Sequence, residues 1–483
     1  MRARLRKALG RAKRRLVVDQ RQASADAPPV ADLPSSADGV SRFALIMSGG
    51  GARGAYEAGV LSFVLDELPR QLGRPVRFQV VTGSSVGAIH ACYVAATQGR
   101  PDAGRHLTEI WRSLEVSGVY RVGIRDAVGI PLRLLGLSRG VSKPPEDGIP
   151  ERLSGLLNTS PLERLVRESI PWDGLRRNVD TGEVDAVAIT ATEISSGKSI
   201  VWVDNRERAV RPWTHDPFVV ARPVALGPQH ALASAAIPFI FPAPRIDGGY
   251  FCDGGLRLNT PLAPALRLGA DRLLIIGLRH PPTPEEEAAL TPHRENNYSS
   301  LAYLGGKVLN ALLLDHVDYD VDRLRLVNAI LDTGVRAYGQ DFMRRINAVI
   351  EEMRGTPYKV VRNVYLLPSR DLGVIAAECF EHHHRSRGLR SWVADTLARY
   401  TVHGIAAEAD LLSYIYFDDC YARHLIELGR SDAAAHAEEF LAFFRDETLD
   451  ATAARTSQPR QNQAQASVEP SGRTGTTTGS DRA

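Results

Sequence analysis

The sequence contains few cysteines, and no two of them are close together. Only four occur among the 483 residues, and these are Cys92, Cys252, Cys379 and Cys420. None belongs to a Cys-x-x-Cys pair, so the pattern does not fit the disulfide framework of a small secreted protein. We expect four reduced thiols in a cytoplasm-like compartment.

Long apolar runs and a strong charge of one sign are also lacking. No stretch of 18 apolar residues occurs, which predicts that the chain has no transmembrane helix. The basic N-terminus is followed by the apolar run LVV at residues 16–18, which is too short for a signal peptide. A formal net charge of +3 argues against a dedicated nucleic-acid-binding protein. We therefore expect a cytoplasmic protein without a nucleic-acid partner, either free or peripheral to a membrane.

Both ends of the chain are predicted to be disordered. Residues 1–40 are first basic and then rich in alanine, proline and serine, and residues 451–483 are polar and low in complexity. Arginine and lysine dominate residues 1–15, which contain no acid. Such a cluster is a solvated arm, a targeting segment or a site that attracts anionic lipid headgroups, and the sequence leaves these alternatives open.

The region between the two ends alternates short apolar runs with helical patterns. Strands are predicted for FALIM, VRFQVVTGS, VDAVAITATEI, KSIVWVD and DRLLIIGLR. Strand, helix, strand and helix in this order predict an α/β core with a mainly parallel sheet over residues 41–285. Helical patterns dominate residues 286–450, with one apolar run, KVVRNVYLLPS. We expect a helical C-terminal extension packed on the core, with this run adding a strand to the sheet.

A Gly-x-Ser-x-Gly pattern follows the second predicted strand. It consists of Gly83, Ser84, Ser85, Val86 and Gly87. Small residues allow a tight strand-to-helix turn that lifts the Ser85 hydroxyl above the sheet, and the positive end of the next helix favours a developing anion there. Ser84 is the competing serine but occupies an x position. The pattern predicts a nucleophile at Ser85, the alternative being a glycine-serine turn without chemistry.

A glycine-rich loop, SGGGARG, follows the first predicted strand. Its candidate residues are Gly49, Gly50, Gly51, Arg53 and Gly54. The backbone N–H groups of such a loop are free to point at an anion, and a neighbouring parallel strand would bring the serine turn to the same sheet edge. The loop is therefore predicted to be an oxyanion hole. Its Gly-x-Gly-x-x-Gly spacing also fits a nucleotide site or a plain turn, and Arg53 either adds positive charge or is a solvated loop residue.

Two Asp-Gly-Gly triplets provide candidate bases for the serine. Asp247 and Asp253 each precede two glycines, and a glycine turn lets a carboxylate approach a serine without steric conflict. A Ser-His-Asp triad would need a histidine after the acid, and the next histidines along this chain are His280 and then His293. His293 is predicted to lie in a polar loop, so His280, which follows a predicted strand, is the stronger candidate. His90 follows Ser85 by five residues but is expected to be a core or interface histidine on the helix. The residues alone leave a dyad and a triad open.

Together these motifs resemble the patatin-like phospholipases. The loop SGGGARGAYEAGVL, the turn GSSVGA, the segment ASAAIPFIFPA and the stretch DGGLRLNTPL occur in the family's order over residues 43–280. The resemblance implies a three-layer α/β fold and a Ser-Asp dyad without histidine, with Ser85 as nucleophile and Asp253 as base. Asp253 is preferred to Asp247 because the residues after it include the Asn and Pro of the family pattern.

The same resemblance implies roles for the glycines around the dyad. The glycine loop would be the oxyanion hole, and Gly83 and Gly87 would shape the nucleophile elbow. Gly254 and Gly255 would form the turn that carries the aspartate. No metal and no cofactor are implied.

The implied activity is that of a serine lipid acyl hydrolase of the phospholipase A or lysophospholipase type, which forms an acyl-enzyme. Its substrate would be a lipid ester at a membrane surface or in a micelle, and residues 1–15 would contact anionic lipid peripherally. The competing hypothesis is a non-catalytic membrane-surface or protein-binding module on a patatin-like fold, motivated by the basic arm and the long extension. The sequence makes no prediction of headgroup, acyl chain or oligomeric state.

Overall fold

The structure is a computed structural model that describes most of the chain between the two predicted disordered ends. The described residues are 41–120, 152–153, 157–211, 213, 218–238, 240–288, 317–386 and 410–445. The predicted basic arm, the polar tail and three parts of the predicted C-terminal helical extension, residues 289–316, 387–409 and 446–450, lie outside them.

Within the described residues, ten strands form one sheet. The strands are β1 (Phe43–Met47), β2 (Val80–Ser84), β3 (Arg152–Leu153), β4 (Ala186–Glu193), β5 (Ser199–Asn205), β6 (Val219–Pro223), β7 (Ala243–Ile246), β8 (Gly249–Asp253), β9 (Arg272–Ile276) and β10 (Arg362–Leu366). Their order is β10-β9-β1-β2-β4-β8-β7-β3, while β5 and β6 continue the sheet from β4. The five strands β10, β9, β1, β2 and β4 are mutually parallel, which confirms the predicted mainly parallel α/β sheet. β10 comes from the run KVVRNVYLLPS and adds to the sheet as predicted.

Helices cover this sheet and follow the strands as the sequence pattern predicts. They are α1 (Gly54–Ser62), α2 (Leu68–Leu72), α3 (Val86–Thr97), α4 (Ala103–Arg112), α5 (Val116–Val119), α6 (Ser160–Ser169), α7 (Trp172–Thr181), α8 (Pro228–Ser234), α9 (Gly255–Leu258), α10 (Leu262–Arg267), α11 (Val317–Tyr338), α12 (Asp341–Arg354), α13 (Leu372–Ser386), α14 (Asp410–Ile415), α15 (Asp419–Ala435) and α16 (Ala437–Arg445). None of the helices in the described ranges combines the length and the apolar character needed to cross a membrane.

Alternate residues of the central strands face two separate parts of the core. In β1, Leu45 and Met47 belong to one cluster of buried side chains, whereas Ala44 and Ile46 belong to the other. Because successive side chains of a strand point to opposite faces of a sheet, both faces are covered. Helices α1, α3 and α15 contribute to the first cluster, and α10 and α11 contribute to the second. This is the three-layer arrangement that the family resemblance implies.

The C-terminal helix α15 packs tightly against α1, and glycines permit the close approach. A Cβ atom added to Gly59 would lie 2.2 Å from Ile426 O, and one added to Gly429 would lie 2.2 Å from Tyr56 O. Side chains larger than hydrogen at these two positions would therefore force the helices apart. The described C-terminal helices pack on the α/β core, while the division of the chain at residue 286 stays a prediction.

Candidate active site

Ser85 lies in a strained turn between β2 and α3. It has a positive φ of 54° with ψ at −124°, a conformation that costs a residue with a side chain about 1–3 kcal/mol. A Cβ atom added to Gly83 would lie 2.0 Å from Gly87 O, and one added to Gly87 would lie 2.6 Å from Met47 O. Both flanking positions therefore require glycine, as the elbow pattern predicts. The turn places Ser85 at the N-terminus of α3.

β4 aligns the serine turn with Asp253. One edge of β4 pairs first with β2, up to Ser84 opposite Thr190, and then with β8, where Asp253 lies opposite Ala191. The opposite edge of β4 is occupied by β5. β2 and β8 therefore follow one another along a single edge, and the end of β2 meets the end of β8. Ser85 follows Ser84 directly, so it faces Asp253 across this junction.

The side chains of Ser85 and Asp253 are in direct contact. Ser85 Oγ donates a hydrogen bond of 2.6 Å to Asp253 Oδ2, and the Gly255 N–H donates one of 2.8 Å to Oδ1. Asp253 is completely buried. This burial raises the pKa of Asp253 from 3.8 to about 6, although the hydrogen bonds from Ser85 and Gly255 oppose the shift. The carboxylate is thus more basic than an exposed aspartate and is aimed at the serine hydroxyl.

Ser234 connects the turn that carries Ser85 to the turn that carries Asp253. This residue was not singled out from the sequence. Its Oγ accepts a 2.9 Å hydrogen bond from the Ser85 N–H and donates one of 2.6 Å to Thr190 O. Its carbonyl oxygen accepts from the Gly254 N–H at 3.2 Å. Ser234 belongs to the segment ASAAIPFIFPA, so its place in that segment was the available signal. It holds the serine turn and the aspartate turn against β4.

The aspartate turn also depends on close backbone packing. A Cβ atom added to Gly254 would lie 2.3 Å from Thr190 O. The Asp253 N–H donates to Ala236 O at 2.8 Å. Gly254 therefore permits the turn to lie directly on β4, and Gly255 supplies the N–H that holds the carboxylate.

The glycine loop lies beside the serine and is held by Asn259. The Gly49 N–H donates a hydrogen bond of 2.9 Å to Asn259 Oδ1, and a Cβ atom added to Gly49 would lie 2.9 Å from Ser85 Cβ. Among the described residues, no acceptor is found for the N–H groups of Gly50 and Gly51. Of the three glycines, these two therefore have donors left for an anion next to Ser85.

Arg53 is buried, so the interpretation of this residue as solvated is wrong. Only 4% of its surface is exposed. Its Nε donates a 2.8 Å hydrogen bond to Ser413 Oγ, and its guanidinium carbon lies 4.4 Å from the centroid of the Tyr414 ring. A Cβ atom added to Gly51 would lie 2.2 Å from Tyr414 O. Arg53 thus ties the glycine loop to α14.

His90 is a buried side chain with a partner on each ring nitrogen. Trp111 Nε1 donates a hydrogen bond of 2.9 Å to His90 Nε2, and His90 Nδ1 lies 2.7 Å from Glu57 Oε2. Because Nε2 accepts, Nδ1 carries the proton and donates to Glu57. Glu57 Oε1 in turn accepts from the Ser48 N–H at 3.0 Å. As expected, His90 is a core histidine, and through Glu57 it supports the residue before the glycine loop.

The sequence offered two further candidates for a partner of Ser85, His280 and Asp247, and neither contacts it. His280 Nδ1 contacts Pro368 O at 2.9 Å, and Nε2 contacts Glu286 Oε2 at 3.1 Å. Asp247 is exposed in the turn between β7 and β8, with a positive φ of 48°. In the described part of the chain, neither residue is hydrogen bonded to Ser85. The geometry therefore favours a dyad of Ser85 and Asp253 over a triad.

An apolar pocket begins at Ser85 and Gly51 and continues between the helices. Its walls include Ile89, Leu107, Trp111, Leu162, Val166 and Phe417. These side chains come from α3, α4, α6 and the segment before α15. The pocket surface is almost entirely apolar, and its few polar groups include those of Ser85, His90 and Ser169. Such a pocket suits an apolar chain whose reactive end lies at the serine.

Comparison with known proteins identifies one family. Residues 45–266 match the sequence model of the family described as Patatin-like phospholipase. A curated protein, the cGAMP-activated phospholipase of Pseudomonas aeruginosa (strain BWHPSA011 / Pa011), is 29% identical over 219 residues, which is 45% of this chain and 53% of that protein. The chain therefore spans about half the length of the curated relative that it matches.

Two solved structures are similar to large parts of the chain. Human GIVD cytosolic phospholipase A2 in complex with methyl gamma-linolenyl fluorophosphonate is 12% identical, with a TM-score of 0.36, and the match covers 85% of this chain and 59% of that one. VipD from Legionella pneumophila is 14% identical, with a TM-score of 0.27, and the match covers 83% of this chain and 75% of that one.

Proposed function

We propose, from the premise that residues 45–266 are a patatin-like phospholipase domain, that this chain hydrolyses fatty-acyl esters of lipids. The reaction is that of a phospholipase A or lysophospholipase, with Ser85 as nucleophile and Asp253 as base. One observation carries the proposal: the 2.6 Å hydrogen bond from Ser85 Oγ to the buried carboxylate of Asp253. The adjacent glycine N–H groups and the apolar pocket supply the two further parts that an acyl transfer needs.

The first half-reaction forms an acyl-enzyme. Asp253 Oδ2 takes the proton of Ser85 Oγ while Oγ attacks the ester carbonyl carbon. The carbonyl oxygen becomes an oxyanion, which accepts hydrogen bonds from the N–H groups of Gly50 and Gly51. The tetrahedral intermediate collapses, the bond to the alcohol oxygen breaks, and that oxygen takes the proton from Asp253. The lipid alcohol leaves, and the acyl group remains on Ser85.

The second half-reaction releases the fatty acid. A water molecule gives a proton to Asp253 and attacks the acyl carbon, so a second oxyanion forms at the same glycine loop. When this intermediate collapses, Ser85 Oγ leaves and recovers the proton from Asp253. A single carboxylate can serve in both steps because its raised pKa of about 6 lies close enough to neutral pH for it to accept and return a proton.

The pocket indicates which part of the substrate the protein binds. Its apolar walls suit the acyl chain, so the headgroup side of the ester remains outside. We propose that the protein meets such esters at a membrane surface or in a micelle, and that the basic residues 1–15 attract anionic headgroups. This arm lies outside the described residues, so its role rests on its charge alone.

Fatty-acid release from phospholipid and lysophospholipid vesicles tests the function. Ser85→Ala and Asp253→Asn are compared with wild type and with Ser84→Ala, whose buried hydroxyl has no hydrogen-bond partner in the described structure. The assay is run with and without cGAMP, because the curated relative is named a cGAMP-activated phospholipase. We expect release by wild type and Ser84→Ala, and its loss in the other two variants.

A fluorophosphonate that reacts with activated serines provides a readout independent of the lipid chosen. We expect mass spectrometry to locate the adduct on Ser85 in the wild type and to find none in Ser85→Ala. Full activity in both Ser85→Ala and Asp253→Asn would exclude the dyad. If no ester is cleaved and no serine is labelled, while deletion of residues 1–15 abolishes binding to anionic vesicles, the protein is a non-catalytic membrane-surface module.

A further inference from the structure

Three side chains that can bind metal meet outside the candidate active site. Cys379 lies on α13, and Cys420 and His424 lie on the first turns of α15. Cys379 Sγ is 3.5 Å from His424 Nδ1, and Cys420 Sγ is 3.8 Å from the same nitrogen. The two sulfur atoms are 2.7 Å apart. Each residue thus directs one ligand atom to a common point, and all three atoms lie within 4.8 Å of one another.

Helix geometry explains how this cluster forms. Cys420 and His424 are four residues apart on α15, so they lie on one face of the helix one turn from each other. Cys379 reaches the same point from α13, 41 residues earlier in the chain. The four cysteines are widely spaced in the sequence, so their spacing gives no sign that two of them meet.

The distances from sulfur to nitrogen fit a zinc site. With Zn–S near 2.3 Å and Zn–N near 2.0–2.1 Å in a tetrahedron, neighbouring S and N ligands are about 3.5 Å apart. The observed values of 3.5 and 3.8 Å agree with that separation. The two sulfurs have to move apart by about 1 Å for both to bind one ion. His424 also has to release the carbonyl oxygen of Cys420, which lies 2.8 Å from its Nδ1.

We propose that Cys379, Cys420 and His424 bind one Zn²⁺ ion, with water in the fourth position. Two thiolates and an imidazole form a donor set that selects zinc over magnesium or calcium, which prefer oxygen ligands. Cys379 is buried, Cys420 is half-buried and His424 is exposed, so the ion enters from the solvent side of α15. On binding, each thiol loses its proton to solvent, and the bound ion compensates the charge of the two thiolates.

The site has a structural role, because it joins two helices at the border of the candidate active site. Phe417, which lines the apolar pocket, lies two residues before the start of α15 at Asp419. Asp418, between them, caps the helix by accepting from the Cys420 N–H at 2.9 Å. An ion shared by α13 and α15 would hold the start of α15, and with it Phe417, in a fixed position. The proposal concerns a metal site apart from Ser85, and it stands whether or not the proposed hydrolase activity is found.

Cobalt substitution tests the site, because Co²⁺ bound to thiolates gives a charge-transfer absorption that zinc does not. The full chain is stripped of metal under reducing conditions and titrated with Co²⁺. We expect one Co²⁺ per chain, a thiolate-to-cobalt band, and stoichiometric displacement by Zn²⁺. The band should be lost in Cys379→Ser, Cys420→Ser and His424→Asn. It should persist in His382→Ala, an exposed histidine on α13, and in Cys92→Ala, a buried cysteine elsewhere.

A second measurement uses only the wild-type protein and so avoids variants that fail to fold. The stripped and the Zn²⁺-loaded chains are treated with a thiol alkylating reagent, and the modified cysteines are located by mass spectrometry. We expect zinc to protect Cys379 and Cys420 and to leave the labelling of Cys92 and Cys252 unchanged. The proposal is overturned if the reduced chain binds no ion at this stoichiometry, or if the cobalt band survives in Cys420→Ser. It is also overturned if the two thiols only form a disulfide with peroxide and bind no metal when reduced.

Discussion

Ser85 and Asp253 are 168 positions apart in the sequence, yet Ser85 Oγ donates a 2.6 Å hydrogen bond to Asp253 Oδ2. Strand β4 brings them together, because β2 and β8 pair with consecutive parts of the same edge of β4. The contact therefore depends on the order of the strands in the sheet. Substitutions at Asp253 and at nearby residues can test what this contact does.

Replacement of the two aspartates of the Asp-Gly-Gly triplets should have opposite consequences. We expect Asp253→Asn to lower the rate of fatty-acid release by about 10²–10⁴-fold, since an amide cannot accept the serine proton. Asp247→Asn should leave the rate unchanged, because Asp247 is exposed in a turn and asparagine tolerates its positive φ of 48°. Initial rates on one phospholipid decide the matter, and equal losses in the two variants would argue against Asp253 as the base.

The pH dependence of the reaction should reflect the raised pKa of Asp253. Only the ionised carboxylate accepts a proton, so kcat/KM should rise with pH through about 6 and then level off. An exposed aspartate with an ordinary pKa would place this rise about two units lower. The profile is measured with a soluble short-chain ester, so that changes in vesicle charge do not contribute. A rate that stays constant from about pH 5 to about pH 8 would contradict this prediction.

The same pKa predicts that Asp253 lowers stability at neutral pH. Its pKa is raised in the folded chain from 3.8 to about 6, so its contribution to stability is fully present below the unfolded pKa and is lost as pH rises through the folded pKa. Asp253→Asn does not undergo this loss. The free energy of unfolding of the variant should therefore exceed that of wild type by about 3 kcal/mol above pH ~7, and the difference should shrink towards pH ~4. Denaturant unfolding at several pH values measures it, and a difference that does not vary with pH would count against the shift.

Alanine substitutions at two glycines with positive φ can separate the effect of a steric clash in the glycine loop from the effect of backbone strain alone. Gly51 has φ of 56° and its added Cβ would lie 2.2 Å from Tyr414 O, whereas Gly73 has φ of 70° and nothing within 4 Å. We expect Gly51→Ala to lower kcat by about 10²–10³-fold, because the loop must move away from the oxyanion position. Gly73→Ala should lower stability by about 1 kcal/mol without changing kcat. Rates and thermal midpoints are compared for both variants. An unchanged kcat in Gly51→Ala would mean that the glycine loop does not stabilise the oxyanion.

A larger side chain in the apolar pocket should change acyl-chain preference. Val166 on α6 lines the pocket, and Glu168 on the same helix is exposed. We expect Val166→Phe to reduce hydrolysis of long-chain esters about tenfold relative to short-chain esters, since a pocket discriminates chain length by the space available. Glu168→Phe should leave the ratio unchanged. The measurement is kcat/KM over a series of chain lengths, and an unaltered ratio in Val166→Phe would place the acyl chain elsewhere.

Some features of the site were predictable because they depend on a residue's own size and backbone freedom. Gly83 and Gly87 permit the turn at Ser85, and this requirement is visible wherever glycines flank a serine between a strand and a helix. Other features were not predictable, because they depend on contacts between distant segments. Arg53 looked like a loop residue with open alternatives, but Ser413 and Tyr414 bury it.

The sequence by itself determined the α/β class, the parallel arrangement of the main strands and the candidate nucleophile, because apolar periodicity and small-residue turns are local properties. The family resemblance already favoured Asp253 over Asp247, but only the tertiary structure places the Asp253 carboxylate against Ser85. That contact requires β8 to pair with the part of the β4 edge that follows the part paired with β2. The tertiary structure also brought Cys379 to Cys420 and His424. Contacts of this kind form between residues that are far apart in the sequence. They depend on how strands and helices pack against each other, and local sequence patterns do not show that packing.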